Sequence, residues 1–102
     1  MEGQASISSD VLARYAADAA REVEAVRGLV ASQLHRHRGV RVLDAGGENG
    51  PALELHLEVA WEAAIPDVGR AVQHAVGDYL ERMAGARPAA VNVVVDAIES
   101  PR

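Results

Sequence analysis

The chain has 102 residues, 49% of them hydrophobic and 25% charged, with a formal net charge of −5. It has no cysteine, which excludes disulfides, thiolate metal sites and thiol catalysis together. Its length suits a single domain over residues 1–102, large enough to bury a core without covalent staples.

Aromatic residues make up only 3% of the chain, which leaves little material for stacking nucleic-acid bases. The opening Met1-Glu2-Gly3-Gln4 has neither the basic start nor the apolar centre of a secretory signal. No apolar run approaches the roughly 18 residues that cross a bilayer. The expected location is therefore the cytoplasm, with any membrane association made through a surface or a partner. Charge is spread unevenly. Residues 27–41 hold Arg27, Arg36, Arg38 and Arg41 with His35 and His37 and no acid, whereas the other six arginines share the chain with all fifteen acids. Such a stretch is either a solvated connection or a contact for an anionic surface.

Taken in order, Gln4 to Ile7 reads as a short strand. Ser8 or Ser9 then caps a helix whose apolar stripe is Leu12, Tyr15, Ala16, Ala19, Val23 and Val26, with Gly28 at its end. Leu29 to Leu34 fits either more helix or a short edge strand. Val40 to Asp44 is a second strand, and Ala45-Gly46-Gly47-Glu48-Asn49-Gly50-Pro51 has the composition of a turn. Leu53, Leu55, Leu57, Val59 and Trp61 alternate with Glu54, His56, Glu58 and Ala60, the pattern of a half-buried strand. A second helix begins at Ile65-Pro66-Asp67, carries the stripe Val68, Val72, Val76, Tyr79, Leu80 and Met83, and stops at Gly85. Val91, Val93 and Val95 then form one face of a last strand, opposite Asn92, Val94 and Asp96. This order predicts an α+β two-layer sandwich, a four-stranded mixed sheet with two helices on one face. The β-α-β-β-α-β ferredoxin-like arrangement is the default topology.

Candidate chemistry is sparse. Glu54, His56 and Glu58 share a strand face, but same-face side chains stand nearly 7 Å apart and run parallel, so they are expected on a solvated face. His35 and His37 lie among arginines that oppose a cation. His74 belongs to an exposed helical row with Arg70, Asp78 and Arg82. Ser6, Ser8 and Ser9 are explained by capping. Gly47-Glu48-Asn49-Gly50 spells the GxxG of a KH domain but lies between strands, where it is a hairpin turn. No phosphate-binding loop or dinucleotide fingerprint is present. No catalytic residue, cofactor, metal or small-molecule substrate is expected. The outward sheet face mixes charges with apolar residues; the candidate contact residues are Arg41, Leu43, His56 and Val94 on that face, with Arg36 and Arg38 of the basic stretch.

Several positions carry a family resemblance. Ile65, Val68, Val72-Gln73, Val76, Met83-Ala84-Gly85 and Val91-Asn92-Val93-x-Val95 resemble the C-terminal signature of the alkaline shock protein 23 / Gls-type envelope stress response family. That family shows an Ile, a Val-Gln pair, a Met-Thr-Gly turn and a Val-Asn-Val strand at about these spacings. Its opening Gly-x-Ile-x-Ile-Ser is similar to Gly3-Gln4-Ala5-Ser6-Ile7-Ser8. Ala84 replaces the usual Thr, and Trp61-Glu62 stands where Tyr-Gly is common. Burial or turn geometry accounts for every matching position except Gln73 and Asn92. Gln73 is expected at the rim of the helix–sheet interface. The resemblance implies a non-catalytic cytoplasmic protein that self-associates and is held near the inner membrane face by a membrane-anchored partner. The alternative, a small RNA-binding domain using residues 27–41, has the acidic balance and the missing sheet aromatics against it.

Overall fold

The computed structural model describes residues 7–31, 39–47 and 49–101. Helix α1 covers Ser9–Arg21, and Ser8 caps it as expected, its Oγ accepting from the Val11 N–H at 3.2 Å. Its buried face is Leu12, Ala13, Ala16, Ala17, Ala19 and Ala20. Five alanines in six positions let a neighbouring element approach closely. The helix stops earlier than its apolar stripe suggests. Glu22 is the C-cap, and Val26–Leu29 forms strand β1 instead of a further helical turn. Val26 is buried there as a strand residue.

Strand β2 spans Val40–Gly47 and β3 spans Gly50–Val59, with Gly47 opposite Gly50 across a tight hairpin. The GxxG segment is thus a turn between strands. Helix α2, Ile65–Ala84, has proline in its first turn and ends on Gly85 in the left-handed region at φ 64°. A residue with a Cβ is strained at that angle, so glycine sets the stop. Strand β4 is Ala90–Ile98.

Strand β3 is the centre of the sheet. One of its edges holds β4 in parallel, with Leu53 beside Val91 and Leu55 beside Val93. Its other edge holds β2 and β1 end to end, both antiparallel. Ten-residue β3 outreaches β2, and its far end, Leu57 to Val59, is met by β1. That demand for a partner overrides the helical pattern at Val23–Leu29. Leu53, Leu55, Leu57 and Val59 point into one layer with the α1 and α2 stripes and are at most 1% exposed. Tyr15 and Tyr79 meet edge to face at 5.7 Å, joining the two helices. The class is the expected one: an α+β two-layer sandwich, with a four-stranded mixed sheet and both helices on one face.

Among the described residues, the four strands are not all among the four anticipated. Most of Gln4–Ile7 lies outside the described residues, and Ile7 precedes α1 outside any strand. The Leu29–Leu34 ambiguity is settled at Leu29, which closes β1, while residues 32–38 lie outside the described set. Trp61, expected inside, is 53% exposed. The chain turns away after β3, where the Ala60 N–H donates to the Ala25 carbonyl at 2.8 Å and Glu62 takes φ 67°. Met83 is likewise exposed, so the α2 stripe ends at Leu80.

Candidate interaction surface

With both helices on one side, no other described helix covers the opposite face of the sheet. Strand alternation sends Arg41 and Leu43 of β2, Glu54, His56 and Glu58 of β3, and Asn92, Val94 and Asp96 of β4 towards it. Arg41 and Leu43 are exposed, Leu43 at 45%, and Val94 is half-buried. Arg36 and Arg38 lie outside the described residues.

His56 departs from the expected solvated face, because it is buried. Its Nε2 stands 2.7 Å from Glu54 Oε2 and its Nδ1 stands 2.7 Å from Asp96 Oδ2. The parallel-side-chain argument fails here for two reasons. Glu54 leans along its own strand towards the ring, two residues further on. Asp96 sits where the β3–β4 register shifts, and that irregularity aims its carboxylate at His56. Burial works against a charged imidazole, but its hydrogen bonds to Glu54 and Asp96, with the attraction of both carboxylates, outweigh it and raise the His56 pKa above its ordinary value. The group is an ionic clamp across β3 and β4. Each ring nitrogen faces a carboxylate oxygen. The sequence held one signal for it, Glu-x-His on one strand with an Asp on another.

His74 is on the exposed row expected for it, 3.1 Å from Asp78, and Arg70 pairs with Asp67 one turn earlier. Arg27, the first member of the basic stretch, is committed elsewhere. Its Nε donates to Glu99 at 2.9 Å and its Nη1 to the Glu24 carbonyl at 2.7 Å. Gln73 lies at the rim of the helix–sheet interface as anticipated, and its amide donates to the Val91 carbonyl at 3.1 Å. Next to that bond, α2 and the chain leading into β4 enclose an open groove of about 330 Å³, lined by Gln73, His74, Gly77, Glu81 and residues 87–91.

The family model for alkaline shock protein 23, described by its cell envelope-related function, matches residues 1–100. The chain belongs to this family. No curated protein matches it. Among solved structures it is similar to variants of the MamM CTD. One matches with a TM-score of 0.64 at 19% identity, covering 90% of this chain and all of that one. A cadmium form of another variant gives 0.62 at 21% identity, covering 90% and 100%, and a nickel form of a third gives 0.61 at 20%, covering 88% and 99%. These likenesses show the fold. Among the described residues, no helix is long and apolar enough to cross a membrane.

Proposed function

We propose that this alkaline shock protein family member is a non-catalytic interaction module of the envelope stress response, which self-associates and is recruited to the inner face of the cell membrane by a membrane-anchored protein. The observation that carries this reading is the family match over residues 1–100, with its envelope-related function. Two structural features support it. The open sheet face sets apolar Leu43 and Val94 among charges, the composition of a small protein–protein contact. Among the described residues, strand β4 also lies at a margin of the sheet, where main-chain groups are open to pairing. The groove beside Gln73 is shallow, and its ionisable side chains Asp78, Glu81, Arg87 and His74 pair among themselves. That arrangement suits a solvated rim better than a reaction centre.

A pull-down from native membranes followed by mass spectrometry tests the reading. A short integral membrane protein is the expected dominant partner. Recovery of ribosomal or RNA-bound material in its place overturns the proposal and favours the RNA-binding alternative.

A further inference from the structure

We propose that the outer edge of β4 pairs antiparallel with the same edge of a second copy of this chain, with Val94 on the two-fold axis, so that two four-stranded sheets join into one. The inference rests on the self-association proposed above and assigns it a surface and a register.

The first support is the edge itself, which no described strand other than β3 pairs with. His56 turns its backbone towards the β1–β2 side, its N–H to the Gly39 carbonyl at 2.9 Å and its carbonyl to the Val30 N–H at 2.8 Å. Alternation along β3 therefore aims Leu55 and Leu57 at β4. In the parallel ladder, β4 answers them with Asn92 and Val94, which leaves Val91, Val93 and Val95 directed outwards. The outward carbonyl of Val91 is accounted for by Gln73, and this marks one end of the open stretch. The opposite margin of the sheet is a poor template. It is divided between β1 and β2, with register shifts at Val26/Gly28, Val42/Asp44 and Asp44/Gly47. By contrast, β4 runs in unbroken register from Ala90 to Val95 and contains no proline, lysine or arginine to discourage pairing.

The second support is self-complementarity. With Val94 on the axis, Val93 meets Val95 of the second copy and Asn92 meets Asp96, where the irregularity in β4 ends the matched stretch. Valine is set against valine, and an amide donor against a carboxylate with no like charges opposed. Neighbouring registers lose this. An axis at Val93 sets Asn92 against Val94, and one at Val95 sets Asp96 against Val94. Face continuity across the joined sheet excludes half-residue shifts, because opposed residues must lie on the same face. Val93 and Val95, whose main-chain groups point outwards, become the hydrogen-bonded pairs, and Val94 faces its own copy in the close, non-hydrogen-bonded position. The contact is isologous, so it closes as a dimer and does not propagate.

The absence of cysteine makes the register directly testable. In the proposed pair the two Val94 Cα atoms are about 4.5 Å apart, within disulfide reach. The two Asn92 positions are displaced by four residues along the strands, about 13 Å. The parent should be a dimer by size-exclusion chromatography with light scattering. Val94→Cys should oxidise to a covalent dimer, Asn92→Cys should not, and Val94→Lys should be monomeric with an unchanged melting curve. A parent that stays monomeric at high concentration overturns the proposal, as does Asn92→Cys linking as readily as Val94→Cys. Neither result bears on recruitment by a membrane protein, which the pull-down judges separately.

Discussion

A neutral imidazole has one N–H, so a histidine held between two carboxylates can serve both only as the cation. This is the position of His56 between Glu54 and Asp96. Its folded-state pKa is raised above the ordinary 6.5, so its contribution to stability has a defined sign. The contribution is fully present below the unfolded-state value and is lost as pH rises through the folded-state value. Urea melts should therefore show a stability decline beginning above about pH 6.5. In His56→Gln that component should vanish, with a loss at pH 6 of about 2 kcal/mol, the scale of a charge-assisted hydrogen bond. A parent whose stability is flat from neutral to mildly alkaline pH would contradict the clamp. Gln73 is a smaller case. Its bond to the Val91 carbonyl is exposed, so Gln73→Ala should lower stability by roughly 0.5–1 kcal/mol in the same melts.

Among the elements, the turn between β2 and β3 is the most tightly constrained. Gly50 has φ 96°, and a Cβ placed there would lie 2.1 Å from the Arg87 carbonyl oxygen. Gly50→Ala must therefore push the hairpin away from the connection that leads into β4, with an expected loss on the order of 3 kcal/mol in denaturant melts. Gly77, inside α2, is the contrast. A Cβ there meets nothing within 4 Å, and Gly77→Ala should stabilise by roughly 0.5–1 kcal/mol through helix propensity. Elements whose causes are local could be read from the sequence. Pro66, Asp67, the Val68–Val72–Val76–Leu80 stripe and Gly85 define α2 without reference to any other part of the chain. The alternation from Leu53 to Val59 defines β3 in the same way. Strand β1 could not be read, because Val26–Leu29 is extended only where the far end of β3 requires a partner. The His56 clamp was hidden for a similar reason. Its third member comes from a strand forty residues away, placed by a register shift that no local pattern announces.

At the scale of the whole molecule, the excess of acid over base limits what the arginines can do at an anionic surface. Arg36, Arg38 and Arg41 would each contribute about 1 kcal/mol next to anionic headgroups, screened within a Debye length. In vesicle flotation, attachment should be marginal and should disappear at high salt. Strong binding that survives salt would show that something other than these charges carries it. The way β1 and β2 share one side of β3 bears on how this fold could be rebuilt. Leu29 and Val40 sit against β3 residues only two apart, and the backbone of His56 holds both Val30 and Gly39. The two ends of the segment between them therefore stand at almost the same point of the sheet. Whatever is spliced between those two anchors has its ends already closed by the sheet. Doubling the length of such an excursion costs only about 0.6 kcal/mol of chain entropy. The junction is a natural port for grafted peptides, epitopes or whole inserted domains, and strand pairing would not have to shift to accept them.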